Sequence, residues 1–188
     1  MGKNGLSTLL GIAKLKRYEG NLPPDTLEKA FSFADIAALN EGLEEMYGLR
    51  GGRGMALRIG QSAFARGMKH FGAMKAMEDP AFRTLALEKR IEYGLRGMAG
   101  ILTNFSDQTS HLVRDGSALM FVSEQTPFSW ERQSDKPVCH MMVGMLIETL
   151  RWSSNGYDFY VREINCKAAG AHHCTFRVNR SLASGRRT

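Results

Sequence analysis

Three residues of this 188-residue chain carry thiol chemistry, Cys139, Cys166 and Cys174, and all fall in the single stretch 139–178. Glu163 stands three residues before Cys166, and Cys166 and Cys174 bracket the polar turn KAAGAHH. Three thiolates and a carboxylate can close a tetrahedral site around Zn²⁺, a borderline-soft ion that accepts sulfur and carboxylate oxygen together. Four protein ligands leave no position for an activated water, so such a site is structural rather than catalytic. It would carry a net charge of about −2, which Arg162, Lys167 and Arg177 are placed in sequence to offset. His140, His172 and His173 adjoin the cysteines. One of them could replace Glu163 as the fourth ligand, or they could hydrogen-bond to the ligands. The competing reading is three free thiols packed as small hydrophobes.

The elements around these residues must bring them together. Pro137 suits the first turn of a helix, where its missing N–H costs nothing, and Ser134 or Asp135 could cap that helix. Cys139 would then lie in the first turn, where the helix dipole favours a thiolate. Val138, Met142, Met145 and Trp152 recur at helical spacing, and Asn155-Gly156 ends the helix. Residues 157–165 read as a strand, and Gly170 permits the turn that follows. Cys174, Phe176 and Val178 share one face of a last strand. Glu163 and Cys166 are an odd number of residues apart, so a regular strand would point them to opposite faces. Both can serve one site only if the strand ends or bulges between them.

A cysteine, a glycine-containing helix, E-x-x-C, a glycine turn and C-x-F follow one another in an order that resembles the 4-vinyl-reductase domain family, a small-molecule and hydrocarbon-binding module. The segment GLRGGRGMALRIGQSAFARGMKHFG resembles that family's first long helix in pattern, and the resemblance extends over residues 35–178. It implies a zinc held, as in the phenol-responsive sensors of the family, at Cys139, Glu163, Cys166 and Cys174. It also implies a homodimer formed through N-terminal helices. The family's name comes from a proposed reduction of a vinyl group on a chlorophyll precursor, but no hydride or electron donor site is visible in the sequence.

A hydrophobic fraction of 43% with 23% charged residues is ordinary for one globular domain. No apolar run is long enough to span a bilayer, and the N-terminus lacks a convincing cleavage site. An odd number of cysteines cannot all pair within the chain. Their clustering favours a metal over disulfides and implies a reducing, cytoplasmic compartment. The formal charge of +6 is concentrated in Lys3, Lys14, Lys16, Arg17, Arg180, Arg186 and Arg187. These read as solvated ends, or as contacts to an acidic partner, although no nucleic-acid-binding motif accompanies them. The expected organisation is a flexible basic arm (1–24), a ligand-binding domain (25–179) and a basic disordered tail (180–188).

Helices are expected over 33–47, 55–72 and 81–104, with the glycine-rich stretch 48–54 as a helix–helix turn, residues 105–115 as a polar turn region and a strand over 117–123. Helices first and strands late predict an α+β fold, N-terminal helices packed on a small antiparallel sheet with a structural zinc. An apolar pocket is expected between the helices and the sheet, lined by Phe64, Met68, Phe71, Phe105, Met120, Phe121, Met142 and Trp152. No nucleophile–base pair or nucleotide fingerprint is visible. The expected function is therefore binding of a small hydrophobic or aromatic molecule, as sensor or carrier, with a separate signalling partner in the first case. The alternative is an accessory protein or enzyme of tetrapyrrole (chlorophyll) biosynthesis acting on the vinyl group.

Overall fold

The computed structural model of the chain describes residues 2–71, 80–116 and 118–182. Its elements in order are α1 (Lys3–Ile12), α2 (Phe33–His70), α3 (Pro80–Thr84), α4 (Leu87–Phe105), β1 (Thr109–Asp115), β2 (Ala118–Gln125), α5 (His140–Ser154), β3 (Phe159–Asn165) and β4 (Cys174–Leu182). The strands form one antiparallel sheet in the order β1-β2-β4-β3. Helices and a small antiparallel sheet share a single core, the α+β arrangement expected. Strand alternation sends Leu119, Phe121, Phe176, Val178, Phe159 and Val161 into that core, where they meet Phe64, Leu95, Met142, Leu146 and Leu150 of the helices. Phe121 and Phe176 meet edge to face at 6.4 Å.

Helix α2 departs from the expected helix, loop and helix. Gly48 alone leaves helical geometry (φ 69°, ψ 165°), and the rest of the glycine-rich stretch stays helical. A positive φ suits glycine, which has no Cβ to clash. The two halves fold sharply on each other: a Cβ on Gly52 would stand 2.6 Å from the Cα of Glu44. Ser32 caps the N-terminus, its Oγ accepting from the Asp35 amide at 3.1 Å.

The helix expected over 81–104 is divided between α3 and α4. Phe82 stacks on Trp152 at 5.0 Å, and Arg83 lies over the same indole while donating to the Trp152 carbonyl at 2.9 Å. These tertiary contacts anchor α3 apart from α4. Residues 105–115, expected as polar turn, include β1. It is an edge strand whose only large buried apolar side chain is Leu112, so periodicity hardly marks it. Helix α5 begins at His140 with Cys139 as its N-cap residue, so Pro137 lies outside the helix. Its C-terminus is as expected: Asn155 adopts the left-handed conformation and the Gly156 amide donates to the Arg151 carbonyl at 2.8 Å.

Where a mobile arm is expected, α1 docks on α2. Leu9 joins the main core, and Leu10, Ala13 and Leu15 bury themselves against Tyr18, Ala38 and Leu39. The Tyr18 hydroxyl donates to Asp35 Oδ2 at 2.7 Å, and Arg17 pairs with the same carboxylate. At the other end β4 runs on to Leu182, opposite Phe159. The remaining tail, like Gly72, Asp79 and Ser117 at expected element ends, lies outside the described residues. Among the described residues no helix is long and apolar enough to cross a membrane.

Helices α2 and α5 touch backbone to backbone. A Cβ on Gly60 would stand 2.0 Å from the Met141 carbonyl oxygen, and one on Gly144 would stand 2.0 Å from the Leu57 carbonyl oxygen. Gly60→Ala and Gly144→Ala should each cost about 3 kcal/mol by urea unfolding, because only a shift of two backbones relieves the clash. Gly100→Ala, in open space on α4, should instead stabilise by about 0.5–1 kcal/mol.

Candidate metal centre

Four elements deliver four ligand atoms to one point. Cys139 comes from the residue that opens α5, Glu163 from β3, Cys166 from the residue after β3, and Cys174 from the first residue of β4. The three sulfurs and a carboxylate oxygen all lie within 4.8 Å of one another. The parity problem between Glu163 and Cys166 is solved by an irregularity. Register with β4 shifts between Glu163 and Asn165, and β3 ends before Cys166. A 3-10 turn (Lys167–Ala169) and Gly170 at φ 90° then reverse the chain into β4.

The site is closed to water. Cys139 and Cys174 are wholly buried, Cys166 is 1% exposed and Glu163 6%. Glu163 Oε2 accepts from the Cys139 amide at 2.9 Å, while its other oxygen, Oε1, is buried with no partner. A buried carboxylate oxygen without a donor is costly, and a cation among these sulfurs would satisfy it. The donor set, three sulfurs and one carboxylate, is one that a tetrahedral metal takes. The cluster could therefore hold a metal ion.

The surroundings differ in part from what composition suggested. Cys174 Sγ lies 3.6 Å from Cys139 Sγ and receives the Lys167 backbone N–H at 3.4 Å; Ser129 Oγ is also at 3.4 Å. Ser129 carries no spacing signal in the sequence and is brought in by the loop before α5. Asn40 of α2 holds that loop by donating to the Phe128 and Val138 carbonyls at 3.4 and 3.3 Å, and Arg132 ties it to Glu44 at 2.8 Å. Arg162 and Arg177 pair across β3 and β4 on the exposed face, away from the cluster, because residues beside a ligand on a strand point the other way. The Lys167 ammonium donates to the Glu124 carbonyl at 3.1 Å. His172 and His173 are exposed and outside the cluster. His140 is half-buried with an unpartnered Nε2, and burial, then Arg53 and Arg132, hold its pKa down.

Without a metal the four groups compete for protons. Hydrogen bonds from the Cys139 and Cys166 thiols bring Cys174 down to about 4. Burial first, then the Cys166 sulfur, pushes Glu163 up to about 8. Burial likewise raises Cys139. Negative charge thus gathers on Cys174, and the other groups keep protons that a metal would displace.

The expected pocket residues do not form one set. Phe64, Met68, Phe121 and Met142 are buried in the main core, with Phe71 and Trp152 half-buried at its margin. Met120 belongs to a separate cluster with Ala118 and Val122, since it neighbours Phe121 on a strand and faces the other side of the sheet. Phe105, at the end of α4, is 39% exposed. A cavity of about 280 Å³ lies elsewhere, between α1, the segment after it, α2 and Met141 of α5.

The charge distribution fixes the sign of one effect. In the metal-free folded protein Glu163 keeps its proton up to about pH 8, whereas unfolded it ionises near its ordinary 4.5. Its contribution to stability therefore falls as pH rises through that window. Cys174, shifted the opposite way, contributes stability that grows with pH, and this is present in both proteins compared. With chelator present, Glu163→Gln should gain on the unsubstituted protein as pH rises from 5 to 8, reaching roughly 1–3 kcal/mol in thermal unfolding. A difference independent of pH would contradict the assignment.

Comparison with known proteins bears on the same region. The family model of the 4-vinyl-reductase domain matches residues 120–180. No curated protein matches the chain. Among solved structures, the phenol-responsive sensory domain of the transcription activator PoxR with phenol is 17% identical with a TM-score of 0.57, over 79% of this chain and 74% of that one. An Fe(II) unliganded H-NOX protein from K. algicida is 13% identical (TM-score 0.56, 98% and 92% coverage). One from S. oneidensis in the Fe(II)NO state is 11% identical (TM-score 0.54, 98% and 100%). At these identities the likeness is one of fold. The chain carries a 4-vinyl-reductase domain over residues 120–180, and all four residues of the candidate metal centre lie inside it.

Proposed function

We propose that this chain binds a small hydrophobic or aromatic molecule, as a sensor or carrier, through a 4-vinyl-reductase domain stabilised by one zinc ion. The observation that carries the zinc assignment is the buried Cys139–Glu163–Cys166–Cys174 cluster with its partnerless Glu163 oxygen. Zn²⁺ fits three thiolates and a carboxylate better than Mg²⁺ or Ca²⁺, which take oxygen ligands. All four positions are filled by protein, so the ion's work is structural: it pins the start of α5 to the β3–β4 turn. The match to the domain family and the likeness in fold to sensory domains support a binding role. A homodimer is part of the proposal.

Native mass spectrometry of the purified protein tests these features together, through metal content, retained small molecule and mass of the assembly. One zinc per chain is expected. Chelation should lower the melting temperature markedly, because metal binding here is coupled to folding. Cys166→Ser should lose the zinc and several kcal/mol, on the order of half of a marginal domain's stability. A metal-free protein with an unchanged melting temperature would overturn the zinc assignment.

A further inference from the structure

We propose that the cavity beneath α1 is a binding site for a small hydrocarbon, an uncharged molecule of about one ring that bears no polar group. The inference rests on the small-molecule reading above and gives it a location and a ligand class. The cavity measures about 280 Å³ and its wall presents only apolar atoms. Leu9 of α1, Leu43 and Ile59 from the two halves of kinked α2, and Met141 of α5 form its interior. An apolar cavity of about 150 Å³ already stays dry and admits benzene.

The wall also selects against polar guests. Tyr18 carries the one hydroxyl on the lining residues, and that hydroxyl already donates to Asp35 Oδ2 at 2.7 Å. A phenol entering here would lose water from its own hydroxyl and find no partner. Hydrocarbons should therefore bind at least about tenfold more tightly than the corresponding phenols. Entry is available at one side. Leu6 and Leu22 border the cavity while 37% and 61% exposed. Together with Leu10 and Tyr18 they also border a wider groove of about 570 Å³, which runs out past Lys3 and Glu19. The docked α1 and the segment after it thus form the outer wall of the site.

The test uses the full chain, metal-loaded, with toluene and phenol as probes, titrated calorimetrically. Toluene should bind at least about tenfold more tightly than phenol. Ile59→Trp and Leu39→Trp, which fill the cavity from half-buried positions, should each weaken toluene at least about tenfold with metal content unchanged. Should either variant fail to fold, nuclear Overhauser transfer from toluene in the unsubstituted protein decides: it should reach the methyls of Leu9, Leu39 and Ile59. Undiminished toluene binding by the filled variants, transfer to Phe64 and Met142 instead, or a preference for phenol would overturn this site and leave the general binding role standing. Absence of binding of either probe would overturn both.

Discussion

The contact between the backbones of α2 and α5 at Gly60 and Gly144 is the constraint on which the other features depend. Two carbonyls occupy the space where two Cβ atoms would stand, so neither helix can be moved outward without opening the core. The contact fixes the height and rotation of α5. That helix begins at the residue holding the first thiol, and Met141, in its first turn, contributes its carbonyl to the crossing and its side chain to the cavity. Metal centre, helix packing and cavity therefore share one rigid element.

Seen from the sheet, the same helix meets a second constraint. Cys139 donates its amide to Glu163 of β3, and Glu163 lies opposite Phe176 of β4. A short strand with an irregular end, a 3-10 turn and a reversal at Gly170 bring Cys166 and Cys174 to the same point. Desolvation explains why four acidic groups can be buried together here: each alone would be forced to keep its proton, and a shared cation removes that cost. The surrounding loop is held by neutral amides and by Arg132, which is itself paired with Glu44, so its guanidinium does not compete for the Glu163 carboxylate.

The cavity follows from the kink in α2. With Gly48 outside helical geometry, Leu43 before the bend and Ile59 after it face a common space that a straight helix would not enclose. Helix α1 covers that space without filling it. Its own burial rests on few side chains, Leu9, Leu10 and Ala13, together with the Tyr18 and Arg17 bonds to Asp35. Elements held by few buried contacts are the ones that open locally, which makes the outer wall of the cavity the part best able to admit a guest.

Residue chemistry and local backbone rules were enough to determine much of this protein from sequence. The four clustered residues, the need for an irregularity after Glu163, the C-terminus of α5 at Asn155 and the turn at Gly170 were all legible, because thiol identity, strand parity and left-handed geometry act within a few residues. So was the α+β class, from helical spacing early and strands late. Features set by distant contacts were not. Trp152, almost seventy residues on, stacks on Phe82 in α3, which is separate from α4; β1 pairs as an edge strand despite its polar face; α1 finds a place on α2 that its own sequence does not specify. Met120 and Phe121 both read as pocket residues until the sheet assigned them to opposite faces. The sequence also placed Arg162 and Arg177 beside the cluster, yet alternation along paired strands turned them outward. Each of these depends on which surfaces meet, and only the packed chain decides that.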